Sequence, residues 1–150
     1  MSSGPPKTFA INHDNYHAKY VGRTSDGRQF FLTTPFIGVI RGQAGCEYLA
    51  LFICDRKGSL IEAKIDDLGP RAGVDKNAFS ELRDQRIKEL GKISFQRIEI
   101  APFKVERFGQ EFGLIPRPPE DDEDGSWWVE LLPGNCMAFH EPWDSGEYDT

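Results

Sequence analysis

Three histidines, His13, His17 and His140, are where acid–base or metal chemistry would first be sought in this 150-residue chain. His13 and His17 stand four apart, the spacing that sets two metal ligands on one face of a helix. Their surroundings, Asp14-Asn15-Tyr16 leading into a β-prone stretch, do not read as helix, and no His-Glu-x-x-His frames them. The pair is expected at a surface or hairpin edge. His140 lies four after Cys136 and four before Asp144, the makings of a Cys-His-Asp relay. A nucleophilic cysteine needs a positive environment to form its thiolate. Glu141, Asp144 and Glu147 supply the opposite, so no catalytic residue is assigned.

Carboxylates are abundant, but glycosidase or nuclease chemistry requires two or more of them converging in a pocket. The run Glu120-Asp121-Asp122-Glu123-Asp124 is contiguous, and five adjacent like charges favour a solvated loop over residues 117–125. Asp122-x-Asp124-Gly125 lacks the later bidentate Glu of a calcium loop, so at most a weak cation site is expected there. There is no Gly-x-Gly-x-x-Gly after a strand and no Walker loop to cradle phosphates. A chain with one good helix also lacks a helix-turn-helix. No cofactor and no metal are assigned.

What remains is an acidic, aromatic C-terminal stretch. Residues 117–150 hold one base, Arg117, against ten acids and so carry −9; with −6 overall, residues 1–116 are left with +3. That distribution disfavours a nucleic-acid binder with a broad basic face. Trp127, Trp128, Phe139, Trp143 and Tyr148 are interleaved with the acids. Aromatic side chains anchor protein interfaces, and an acidic field steers a basic partner toward them. Trp128, His140, Trp143, Asp144, Glu147 and Tyr148 are therefore the candidate partner-binding residues. The leading expectation is a non-catalytic regulatory or protein-binding module. A narrower version is an immunity-type inhibitor covering a basic toxin, and the enzymatic alternative is a metal-dependent hydrolase using the C-terminal carboxylates with His140.

The elements that must position these groups follow from composition and period. Hydrophobic residues at 39% and charged residues at 28% suit one globular domain and exclude a collagen-like or wholly disordered chain. Residues 1–12, rich in Ser, Gly and Pro, read as a flexible arm. Residues 16–21 and 28–37 are β-prone around an Asp26-Gly27 turn, with Pro35 marking an edge or a break. Residues 47–54 are nearly all apolar, as in a strand buried on both faces, and residues 60–65 alternate as its return strand. Residues 66–73 read as a connection. A helix is predicted over about 76–90, capped by Asp75 or Asn77, with Phe79, Leu82, Ile87 and Leu90 on one stripe and Gly91 after it. A long strand over 93–100, a hairpin turning at Gly109 and a last strand over 126–132 follow. The C-terminal segment, 136–150, is expected to dock, since a free tail seldom carries such rings. The predicted fold is a single α+β domain, mostly antiparallel sheet packed against one main helix.

Met1 to Lys7 is followed by no apolar stretch, no run approaches a membrane span, and Cys46, Cys54 and Cys136 cannot all pair within one chain. A cytoplasmic protein with reduced thiols, binding no membrane, is expected. Two stretches carry a resemblance: Tyr20-Val-Gly-Arg-Thr-Ser-Asp-Gly-Arg-Gln-Phe30, and the closing acidic run with Trp128-Val-Glu-Leu and Phe139-His-Glu-Pro-Trp-Asp-Ser-Gly-Glu-Tyr-Asp-Thr150. Together with the Cys54-Asp-Arg-Lys-Gly turn and Phe108-Gly-Gln-Glu-Phe-Gly-Leu114, the chain resembles small bacterial proteins often labelled formate hydrogenlyase regulatory protein. The resemblance implies a non-enzymatic regulator of bacterial cytoplasmic origin. It transfers no catalytic or binding residue.

Overall fold

The computed structural model describes residues 4–38, 45–70, 73–119, 126–134 and 137–150. Along the chain run β1 (Phe9–Ile11), β2 (Tyr20–Thr24), β3 (Gln29–Thr33), β4 (Phe36–Ile37), β5 (Cys46–Cys54), β6 (Leu60–Pro70) and the helix α1 (Lys76–Glu89). After it come β7 (Ile93–Phe95), β8 (Ile98–Ile100), β9 (Phe103–Arg107), β10 (Gln110–Arg117), β11 (Trp128–Leu132) and β12 (Ala138–His140). This is a small α+β domain of mostly antiparallel sheet with one helix. Among the described residues, no helix is long and apolar enough to cross a membrane.

β5 organises the rest. Its period-two alternation sends Tyr48, Ala50, Phe52 and Cys54 to one face and Leu49, Leu51 and Ile53 to the other, and all seven are buried. β6 runs along the whole of one edge, while β3 and then β4 cover the opposite edge. β2 and β7 extend the sheet beyond β3, giving six strands in all. Thr34-Pro35 interrupts what would otherwise be a single strand, since proline has no amide to donate; the Pro35 carbonyl instead accepts from Tyr48 N at 3.0 Å.

The Leu49 face meets α1. Phe79, Leu82 and Ile87 pack over Phe30, Leu32, Leu49, Leu51 and Ile53, with Leu90 buried just beyond the last turn. Asp75 caps the helix, its Oδ1 accepting from Asn77 N at 2.8 Å and Ala78 N at 3.2 Å. Gly91 follows the C-cap at φ +80°, a left-handed conformation that a side chain would strain. Arg86 makes a forked contact with Asp66 on β6, at 3.0 and 3.1 Å, and so fixes the helix across the sheet. The Phe52 face meets a four-stranded sheet, β12-β11-β10-β9, together with the β1-β8 pair. Phe112, Leu114, Val129, Leu131 and Phe139 from that sheet and Phe9, Ile11, Ile98 and Ile100 from the pair fill the larger core. The molecule is layered: helix, six-stranded sheet, second sheet.

Several expectations need correction. Residues 1–12 are not an arm throughout: Phe9, Ala10 and Ile11 are buried and paired with β8, because three apolar side chains outweigh the Ser, Gly and Pro before them. The segment read as a connection after Ile65 continues as strand to Pro70; it forms a sheet edge, where Asp67 and Pro70 are exposed and tolerated. The long strand over 93–100 divides at Gln96-Arg97 into β7 and β8, which join different sheets. β11 is followed by one more strand, β12. Arg117, placed at the start of the acidic loop, closes β10, and residues 120–125 lie outside the described residues.

Phe52 is fully buried, its ring 4.7 Å from Phe103 and 6.4 Å from Phe31, so removing it opens a cavity between the sheets. Phe52→Ala is expected to cost about 3–5 kcal/mol in urea unfolding. Asp75→Ala, which loses only the helix cap, is expected to cost about 1 kcal/mol.

Candidate functional site

The C-terminal residues are held by the fold at nearly every step. Ala138, Phe139 and His140 form β12 beside β11; strand alternation buries Phe139 and leaves His140 exposed. Trp128 is the cross-strand neighbour of His140, half-buried, with its indole Nε1 donating to Glu130 Oε2 at 3.4 Å. Glu130 also takes Arg117 Nε at 3.3 Å, so it is not an unpaired acid.

Beyond β12 the chain crosses the β1 edge. The carbonyl of Trp143 accepts from Ala10 N at 2.8 Å and that of Gly146 from Asn12 N at 3.0 Å. Ser145 O accepts from Asn12 Nδ2 at 3.1 Å, and the Asp144 carbonyl accepts from Arg97 Nη2 at 2.6 Å. Gly146 is at φ +78°, a conformation that favours glycine, and a Cβ there would displace the Asn12 side-chain amide from Ser145 O and Arg97. Finally, Ala138 and Asp149 exchange two backbone bonds of 2.8 and 2.9 Å, closing the segment on itself.

Tyr148 is the side-chain lock. Its ring sits against Phe139 and His17, with centroids 5.8 and 6.1 Å away. Its hydroxyl donates to Asp14 Oδ2 at 2.6 Å and accepts from His17 N at 3.1 Å. Asp14 Oδ1 accepts from Tyr16 N at 2.8 Å and Ala18 N at 3.0 Å, a local turn that sets the carboxylate in place. Partial burial pushes the Asp14 carboxyl up, but the bonds from Tyr148 and from the two amides outweigh it and hold the group below its usual 3.8. Burial, then the bond to Asp14, pushes the Tyr148 hydroxyl up to about 12.

Of the six candidate residues, His140, Glu147 and Tyr148 line one open depression of about 230 Å³, together with Glu141, Ser145 and Asp149. His140 Nε2 lies 3.3 Å from Asp149 Oδ2. Trp128 stands beside this depression as the neighbour of His140. Trp143 and Tyr148 are half-buried against the larger core, so much of each ring serves the fold. Asp144 is exposed and does not line the depression.

The chemistry available there is limited. The His140–Asp149 contact can orient an imidazole, but Ser145 Oγ accepts from Glu147 N at 3.2 Å and has no hydrogen bond to His140. Cys136, the other partner considered for His140, lies outside the described residues. Among the described residues, no three His, Cys, Asp or Glu side chains are grouped so as to hold a metal ion. His13 instead stacks on Phe95, with centroids 5.6 Å apart, and His17 lies against Tyr16 at 3.9 Å. The residues that hold the segment in place, Asn12, Asp14 and Arg97, escape a reading by spacing: the Tyr148 to Asp14 bond spans 134 positions and that of Asn12 to Ser145 spans 133. The one local signal is Asp14 itself, since an Asp followed by Asn marks a side-chain-to-backbone turn. Compared with protein-family models, with curated proteins and with solved structures, the chain matches none.

The lock carries a pH dependence. The Asp14 contribution is present above the usual 3.8 and is lost as pH falls through its lower folded value. That of Tyr148 is present below the usual 10.0 and is lost as pH rises toward 12. Tyr148→Phe is expected to cost about 1–2 kcal/mol at neutral pH. The difference in unfolding free energy between wild type and variant should be flat across neutral pH and shrink toward both limits, as read by denaturant titration at a series of pH values.

Proposed function

We propose that this chain is a non-catalytic protein-binding module of regulatory character, whose acidic C-terminal face engages a basic surface on a partner protein. One observation carries the reading: Glu141, Asp144 and Glu147 are exposed on a segment whose backbone is fixed by bonds to Ala10, Asn12, Arg97 and Ala138. A charged loop that must be ordered on binding loses affinity to entropy, whereas carboxylates on a pinned backbone keep their spacing. Such a face steers a basic partner and fixes its register. Asp144 illustrates the division of labour: Arg97 takes its carbonyl oxygen and leaves the carboxylate exposed.

The half-buried rings of Trp128 and Trp143 supply apolar surface beside the charges, the combination from which interface anchors are made. The resemblance to proteins labelled formate hydrogenlyase regulatory protein supports a regulator rather than an enzyme. It also supports action in the cytoplasm, as do three cysteines that cannot all pair within one chain.

The test compares the chain with its Glu141→Gln/Asp144→Asn/Glu147→Gln variant as bait in lysate of the native host. These exposed substitutions are expected to change stability by no more than about 0.5 kcal/mol, which the unfolding midpoint checks. A basic protein should be retained by wild type, released as ionic strength rises, and bound about tenfold or more weakly by the variant. Equal retention by both baits, or no retained protein, contradicts the reading.

A further inference from the structure

A second concavity lies on the helix side of the six-stranded sheet. Its floor is Leu32 of β3 and Leu49 of β5, each 1% exposed. Tyr20 of β2 and Phe79 of α1 line it, with Tyr16, His17 and Lys19 entering from the segment before β2. Phe79 and Arg83 are one helical turn apart and therefore share a face. The Arg83 guanidinium carbon is 5.7 Å from the Tyr20 ring centroid and 5.9 Å from that of Phe79, so it stands beside both rings. Lys19 Nζ is 5.6 Å from the Tyr20 centroid.

The charge here runs against the composition. The chain has 24 acids for 18 bases, yet the lining of this cleft contains Lys19 and Arg83 and no Asp or Glu. Asp84 takes only Arg83 Nε, at 3.2 Å; among the described residues, the two Nη groups of Arg83 have no hydrogen-bond partner. Two cations over aromatic rings, above an apolar floor, match an anionic group carried on a planar ring. The volume of about 260 Å³ falls below the roughly 300–1,000 Å³ of sites for drug-sized ligands and suits a single ring.

We propose that this cleft binds a small aromatic carboxylate. The ring enters over Leu32 and Leu49 between Tyr20 and Phe79, and the carboxylate is received by the Nη groups of Arg83, with Lys19 as the second cation. This inference does not rest on the protein-binding reading: the lining includes none of its acidic residues, and the two adjoin only through the contact of His17 with Tyr148.

The test is a titration of the ¹⁵N-labelled full chain followed by two-dimensional NMR. The probe is benzoate; benzyl alcohol, cyclohexanecarboxylate and inorganic phosphate are comparators that remove the charge, the aromaticity and the ring in turn. Saturable shifts are expected at Tyr20, Thr33, Leu49 and Phe79 with benzoate, and all three comparators should bind at least about tenfold more weakly. Arg83→Gln should weaken the probe by about tenfold and Lys19→Gln by about threefold. No saturable shift by about 10 mM, equal binding of any comparator, or an Arg83→Gln variant that binds as wild type does would overturn the proposal. The comparator arms use the unaltered chain, so they decide the matter whether or not a variant folds.

Discussion

Burying both faces of β5 is the constraint on which the rest of this fold depends. A strand whose seven consecutive residues from Tyr48 to Cys54 are all shielded cannot sit on the surface of a two-layer domain; it requires a cover on each side. One cover is α1, whose own residues are at most half-buried and which functions as a lid of Phe79, Leu82 and Ile87 pinned by Arg86. The other must shield Tyr48, Ala50, Phe52 and Cys54, and it is assembled from the beginning and the end of the chain. Both ends are thereby drawn into the core, through Phe9 and Ile11 on one side and Phe139 and Tyr148 on the other.

The same requirement accounts for the form of the C-terminal segment. Phe139 belongs to the core, so alternation turns His140 outward; Tyr148 returns to the core nine positions later, so the intervening residues arch over the β1 edge. That arch is fastened through main-chain atoms, which leaves the side chains of Glu141, Asp144 and Glu147 exposed. Order and negative potential therefore arise from one cause. The two concavities differ in charge: the depression on the arch is lined by Glu141, Glu147 and Asp149, and the cleft beside the helix by Lys19 and Arg83.

Much of the architecture is legible in the amino-acid order, wherever local patterning and packing agree. The apolar run of β5, the Asp75 cap, the Phe79-Leu82-Ile87-Leu90 stripe and Gly91 define the central strand and the helix without reference to anything distant. Local patterning misleads where the deciding contact is remote. Phe9–Ile11 look like part of a loose arm until β8, about ninety positions away, supplies a partner. The stretch 66–70 is polar because a sheet edge permits it, and polarity alone cannot separate edge strand from loop. Residues 93–100 keep one alternating rhythm, yet their two halves serve different sheets, a division set by tertiary packing.

The candidate residues follow the same rule. That rings and acids share the C-terminal stretch is legible in sequence; which of them the fold turns inward is not. Trp143 and Tyr148 look like surface anchors in sequence, and both turn partly inward because the larger core needs their area. Asp14 is marked in sequence only by its turn-forming Asp-Asn step and Arg97 by nothing local, yet both fix the arch through partners far along the chain. The central claim is that this arch is a rigid part of the domain. The most direct measurement is the backbone ¹⁵N order parameter of residues 138–149 in the free protein. Values near those of the β5 strand, about 0.85, are expected, and values below about 0.6 along residues 141–148 would contradict the account.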